Sequence, residues 1–299
     1  MNTGRIIKDD RQLKAVIGLG KTEFLALLED FSRSWYTELK LINNHRQRKI
    51  GGGKKGALPT MEDKLFAILL YLKTYPTFDV LGFLTNRDRT RACRSTHFLL
   101  KVLERTLKIK IVLPERKITS VEEFFEKFPD LKDVFLDGTE RPVQRPKNSK
   151  KRKKLYSGKK KQFTRKTIVI SDENKKILIL TPTRSGRRHD KRIIDKSGLI
   201  KTLPDKITAW ADTGFQGIQK DHSNTQIPKK GTKNNPLTIE DKQNNRIISG
   251  LRIVVEHVIG GMKRFKAAAD IYRNRIPNTD DKFHLLSAGL WNFHLQQTI

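Results

Sequence analysis

Cysteine is nearly missing from this 299-residue chain: Cys93 stands alone. That excludes an intramolecular disulfide framework and a cysteine-built zinc centre. The seven histidines, at 45, 97, 189, 222, 257, 284 and 294, include no His-x-x-x-His pair, so a histidine-based zinc site has no support either. No apolar run approaches the ~20 residues of a membrane span. The opening MNTGRIIKDDRQLK lacks the apolar stretch of a signal peptide. Neither a Gly-x4-Gly-Lys-Ser/Thr loop nor a Gly-x-Ser-x-Gly elbow occurs, which leaves nucleotide-driven mechanisms and elbow-type hydrolases unsupported. The expectation is a soluble cytoplasmic protein with neither a membrane nor a nucleotide as partner.

Negative charge is also scarce. Against 62 Lys and Arg stand 32 Asp and Glu, a formal net charge of +30. Such a surplus repels itself unless a polyanion is at hand. Nucleic acid is the first candidate and an anionic membrane surface the second; no long basic amphipathic helix with a bulky apolar face supports the second. Residues 145–166 hold twelve Lys and Arg and no acid, yet removing them from +30 still leaves +18 on the rest. Basicity is thus spread along the chain, as phosphate contact over an extended surface requires. Apolar residues make up 36 %, and the stretches 65–72, 177–180 and 253–259 are apolar enough to build a core, so global disorder is excluded.

Length implies two domains, with one or three compatible, and the pattern divides the chain into three regions. Residues 1–50 read as helical: Phe24, Leu27, Leu28, Phe31, Trp35 and Leu39 recur at helical spacing. KIGGGKKG at 49–56 reads as a hinge. Residues 51–115 follow as helix, short helix, tight turn and basic helix. Thr60 is an expected N-cap with Asp63 in the capping-box position, Pro76 breaks the pattern, and Asn86-Arg87-Asp88 makes the turn. That order resembles a helix-turn-helix, whose turn and last helix, from about Arg89, carry Arg87, Arg89, Arg91 and Arg94 where base edges would be met. A helical hairpin with a solvated basic face is the plainer alternative.

Residues 116–299 change texture. Short β-rich segments at 134–136, 167–170, 176–180 and 207–211 are interleaved with helix at 193–199, from about 239, and at 283–295. The fold class expected is α/β: a mixed-sheet domain, compatible with a ribonuclease-H-like one, behind an N-terminal all-α helix-turn-helix region; several folds share the element order. Asp137 closes VFLD and is followed by Gly138-Thr139-Glu140; Asp212 closes TAWAD and is followed by Thr213-Gly214. Acids at strand C-termini lie where α/β sheets bind ligands, and paired carboxylates suit hard Mg²⁺. Two Asp opening ordinary turns is the bland reading.

A third acid emerges from helical arithmetic. Ile248, Leu251, Val254, Val255, Val258, Ile259 and Met262 form one apolar stripe, and Glu256 lies off it with Arg252 and Lys263 on its own face. An i,i+4 Arg–Glu pair on a solvated face would look the same. Three convergent carboxylates can hold two metal ions for in-line phosphodiester displacement, with Arg and Lys on the phosphates. Lys151, Lys153, Lys154, Lys159 and Lys160 would track the backbone, with Tyr156 and Phe163 available for stacking; a basic loop without partner geometry is the alternative. His189-Asp190 could bind metal or tune the site, or merely begin a helix.

FLDGTERPVQRP, YSGKKKQFTRKTIVISD, SGRRHD, WADTGFQGI, IPKKG and VVEHVIGGMKRFK together resemble the DDE-superfamily transposases of bacterial insertion sequences, close to the insertion-sequence-five group. The resemblance spans nearly the whole chain. It implies that Asp137, Asp212 and Glu256, spaced by 75 and 44 residues, are the catalytic acids. The gap of 44 leaves no room for an inserted domain. The related Tyr-x2-Arg-x3-Glu-x6-Lys signature maps onto Arg252, Glu256 and Lys263, with Ser249 in the tyrosine place. It further implies Mg²⁺ or Mn²⁺, two ions, double-stranded DNA with terminal inverted repeats as substrate, and a homodimer when assembled on DNA near the nucleoid. The expected activity is cleavage at the element's ends followed by strand transfer. The rivals are a nuclease that cuts without joining and a catalytically retired DNA-binding regulator.

Overall fold

Short polar side chains cap six of the helices among the described residues. The computed structural model describes residues 3–42 and 56–298. The hinge expected at 49–56 lies outside them except for Gly56, as does the boundary at 50. The chain opens with α1 (Thr3–Ile6), α2 (Asp10–Ile17) and α3 (Lys21–Ile42). Asp9 caps α2, its carboxylate accepting from the Gln12 N–H at 3.0 Å. α4 (Met61–Thr74) carries the full capping box: Thr60 Oγ1 accepts from the Asp63 N–H at 3.1 Å, and Asp63 Oδ2 accepts from the Thr60 N–H at 3.3 Å. α5 (Phe78–Leu84) is capped by Thr77, and α6 (Arg89–Ile109) by Asp88. Between them Asn86 turns the chain through the left-handed region at φ 51°.

α7 (Val121–Lys127) precedes the sheet. β1 (Asp133–Pro142) leads to α8 (Ser149–Leu155), β2 (Tyr156–Ser157), β3 (Gln162–Ser171), β4 (Ile177–Leu180) and β5 (Arg184–Ser185). Then come α9 (Asp190–Ser197), β6 (Thr208–Ala211), β7 (Thr225–Gln226), α10 (Ile239–Lys263), α11 (Lys266–Ala269) and α12 (Thr279–Thr298). β3 runs antiparallel to β1 from Phe135↔Ser171 to Pro142↔Thr164, and β2, β5 and β4 cover its other edge in succession. β6 lies parallel to β1, and β7 parallel to β6. The result is a mixed sheet.

Two units divide the chain. One is Met1–Leu113 with Lys263–Asp270 and Leu286–Ile299; the other is Pro114–Met262 with Ile271–Leu285. In the first, α4 is the central helix: all eight residues from 65 to 72 are buried. A helix apolar on every side must be surrounded, and α2, α3, α6 and α11 pack around it. In the second, Val134, Leu136, Ile168, Ile170, Ile193, Ala209 and Ala211 join one core that fixes the sheet against α9. That core determines where the strand ends present their polar residues.

Two strands outrun their expected extents: β3 spans Gln162–Ser171 against an expected 167–170, and β1 runs on past the site. β1 does not stop at Asp137; it continues through Gly138 and Thr139 to Pro142, because β3 is ten residues long and keeps pairing with it as far as Pro142↔Thr164. What ends near Asp137 is the partnership with β6, whose last pair is Leu136↔Ala211. The Asp137-Gly138 step is therefore strand rather than turn. Asp212, by contrast, does follow the last residue of its strand and caps a single 3-10 turn, Thr213–Phe215.

Candidate active site

Parallel pairing of β1 and β6 places Asp137, within β1, and Asp212, just after β6, one step beyond the last shared pair. Each carboxylate is anchored by the next peptide. Asp137 Oδ1 accepts from the Gly138 N–H at 2.7 Å, and Asp212 Oδ1 from the Thr213 N–H at 2.6 Å. Arg252 of α10 reaches both acids, with guanidinium nitrogens 3.9 Å from Asp137 Oδ2 and 3.7 Å from Asp212 Oδ1. Lys159 adds a cation 3.9 Å from Asp212 Oδ2.

Burial raises the Asp137 carboxyl above its ordinary range. The Gly138 N–H and Arg252 oppose that shift, while Asp212 and Asp190 reinforce it. Two carboxylates side by side, one resisting ionisation, form a site that a divalent cation would stabilise. Their donor set, hard oxygen with one anchored atom each, fits Mg²⁺ or Mn²⁺. The pair is brought together; Glu256 is exposed on α10. Among the described residues no three His, Cys, Asp or Glu side chains are grouped closely enough to hold a metal ion.

A buried ion network stands behind the pair. Lys166, the last residue of the basic segment 145–166, is 6 % exposed. Its Nζ lies 3.1 Å from Glu140 Oε1 and 2.9 Å from Asp190 Oδ1, and donates to the Arg188 carbonyl at 3.2 Å. Burial works against the ammonium, but the two acids outweigh it and raise the lysine. Burial likewise pushes Glu140 up, yet Thr164, whose Oγ1 donates to it at 2.5 Å, together with Lys166, holds it below its usual range. Sequence reasoning missed Glu140 and Lys166 as a unit. They are direct cross-strand partners, a relation that only the β1/β3 register reveals.

The other residues singled out in the sequence fall into distinct settings. Arg91 and Arg94 on α6 are exposed, Arg91 beside Asp88 at 3.2 Å. Arg89 is exposed and 3.8 Å from Asp79. Arg87 is half-buried: its Nε donates to Thr85 Oγ1 at 2.9 Å and another nitrogen to Ser95 Oγ. Lys151, Lys153 and Lys154 lie exposed on α8, whose start Asn148 caps, and Lys159 and Lys160 lie exposed just beyond β2. Lys263 is the last residue of α10. Of the apolar stripe expected there, Ile248, Val255, Val258 and Met262 are buried, while Leu251 keeps 38 % of its surface exposed.

Comparison with known proteins gives this geometry a family. A family model described as DDE superfamily endonuclease matches residues 136–292, the half that carries Asp137, Asp212 and Glu256. The chain is also 32 % identical over 245 residues to a protein of Microchaete diplosiphon described as the probable transposase for insertion sequence element IS702. That alignment covers 81 % of this chain and 84 % of the other. No solved structure matches. Among the described residues no helix is long and apolar enough to cross a membrane. By the family match and by its likeness to that relative, the chain belongs to the DDE superfamily of endonucleases, among the insertion-sequence transposases.

Proposed function

We propose that the protein binds the terminal inverted repeats of its own element, cuts DNA at each end, and joins the freed 3′-OH to target DNA. The observation that carries this reading is the Asp137–Asp212 pair, one step beyond the parallel pairing of β1 and β6, with Arg252 across both carboxylates. Asp137, Asp212 and Glu256 would hold two Mg²⁺ or Mn²⁺ ions, which when bound supply Lewis acidity at the attacking and leaving oxygens. Asp137 and Asp212 arrive already oriented by the Gly138 and Thr213 amides. Arg252 then serves the phosphate beside the cut, and Lys263 a flanking one.

The strand arrangement supports a ribonuclease-H-like core: β3 antiparallel to β1, then β6 and β7 parallel on its other side. In the same reading, residues 51–115 form a helix-turn-helix region that reads the ends, 1–50 an accompanying helical region, and 116–299 the catalytic domain. Two copies assemble on the DNA. The exposed lysines of α8 and those after β2 track the backbone.

The deciding experiment is cleavage and joining of duplexes carrying the element's own ends, with and without Mg²⁺. Metal-dependent 3′-OH release and insertion into a target plasmid is the expected result. Cutting without joining would leave a nuclease. Binding to the ends without cutting, in every divalent metal, would leave a DNA-binding regulator.

A further inference from the structure

A cavity of about 930 Å³ opens beside Asp212 within the second unit. Arg152, Lys153, Lys159, Arg187, Arg188 and Lys230 line its wall. Tyr156 and Phe163 line it too, and they face one another across the β2–β3 pair. Their rings meet edge to face, with centroids 5.7 Å apart and planes at 67°. Tyr156 nevertheless keeps 44 % of its surface exposed.

The acids at this cavity already have cations: Asp190 has Lys166, and Asp212 has Arg252 and Lys159. The remaining basic side chains form a surplus around a concave space. A duplex backbone needs only a basic surface to lie on, and a cavity of this size, within the small-ligand range of roughly 300–1,000 Å³, is too small to admit a duplex. A free polyphosphate would use the cations and have no use for the rings. Cationic walls joined to aromatic rings, Tyr156 exposed and Phe163 half-buried, are the combination that serves unpaired nucleic acid, phosphates on the one and bases on the other.

We propose that this cavity takes unpaired nucleotides of the DNA strand adjoining the phosphodiester presented to Asp137 and Asp212. The proposal rests on the transposase reading and deepens it. Drawing bases out of a duplex costs energy, so DNA already unpaired at that point binds more tightly than intact duplex. The base faces supply the gain through Tyr156 and Phe163, and the phosphates contribute whether or not a base is attached.

The test uses the full chain in EDTA, where no cleavage is needed, and fluorescence anisotropy on three probes. These are a blunt duplex, the same duplex with a short single-stranded extension, and the same extension made abasic. The base-bearing extension should tighten binding on the order of tenfold, and the abasic one should lose most of that gain. Tyr156→Ala and Phe163→Ala should abolish the base-dependent part, and Tyr156→Phe should retain it. Should an alanine variant fail to fold, 2-aminopurine in the extension gives the answer with the unaltered protein: stacking in the cavity quenches it. Equal affinity for base-bearing and abasic extensions, or unquenched 2-aminopurine, overturns the proposal. Mg²⁺-dependent cleavage of the element's ends by the same preparation is scored separately. Cleavage without a base-dependent gain sinks the cavity alone, and a gain without cleavage sinks the transposase reading.

Discussion

The Asp190 carboxylate occupies the space that a side chain on Gly138 would need: a Cβ there would lie 2.8 Å from Asp190 Oδ1. A Cβ on Gly214 would lie 3.0 Å from Oδ2 of the same residue. The start of α9 is thus seated against the segments following both candidate catalytic acids, and Lys166 holds the carboxylate in place. Gly138→Ala should therefore overpack the site and lower stability by about 1–3 kcal/mol. Gly250 of α10 meets nothing within 4 Å, so Gly250→Ala should gain up to about 1 kcal/mol from helix propensity. Urea midpoints measure both. A Gly138→Ala protein as stable as the parent would mean that Asp190 is free to move aside.

Catalysis should fail without loss of binding when an acid is removed. Asp137→Ala, Asp212→Ala and Glu256→Gln should each abolish cleavage of end-bearing duplex while leaving affinity within a few-fold. The motive is the strand-adjacent pair together with the exposed acid on α10. Substantial cutting by any one variant removes that residue from the set. Glu256 is the most exposed to this test, because it stands apart from the pair.

The raised Asp137 carboxyl carries a sign for stability. Its folded pKa lies above the unfolded one, chiefly through burial. The ionised carboxylate therefore destabilises the fold at neutral pH, and that penalty fades as pH falls through the raised value toward the ordinary ~3.9. Asp137→Asn should raise the melting midpoint near neutrality, with the advantage shrinking in acid. An advantage that grows on acidification would contradict the burial account. A stabler but inactive variant would mark this position as one where function is kept against stability.

Local signals and long-range ones differed in how far they could be followed in the sequence. Thr60 with Asp63, the left-handed turn at Asn86 and the apolar run 65–72 are short-range patterns, and each has its expected counterpart in the structure. Asp137 and Asp212 were legible because each follows an apolar strand. The continuation of β1 past Asp137 was not, since only pairing with β3 sustains a strand through Asp137-Gly138-Thr139. Nor was the burial of Lys166. Within a run of lysines it looks like surface, and the register opposite Glu140 and the approach of Asp190 put it inside. Arg252 was placed on the face of Glu256 by helical spacing, yet that spacing says nothing of its reach across both strand acids.

The basic surfaces should separate by what they read. Arg91 and Arg94 are exposed on α6 and are proposed to meet base edges, so their alanine variants should lose ~1–3 kcal/mol of discrimination per bidentate contact. Arg87 is held by Thr85 and Ser95, so Arg87→Ala should cost folding stability first and end preference only indirectly. Lys151, Lys153, Lys154, Lys159 and Lys160 present exposed ammonium groups, suited to phosphate. Neutralising them together should weaken binding to every sequence alike and flatten the salt dependence, because fewer counterions are released. Affinity for an element end and for random duplex, measured across a salt series, separates these effects. Lysine variants that lose end preference, beside arginine variants that keep it, would reverse the assignment of the two surfaces.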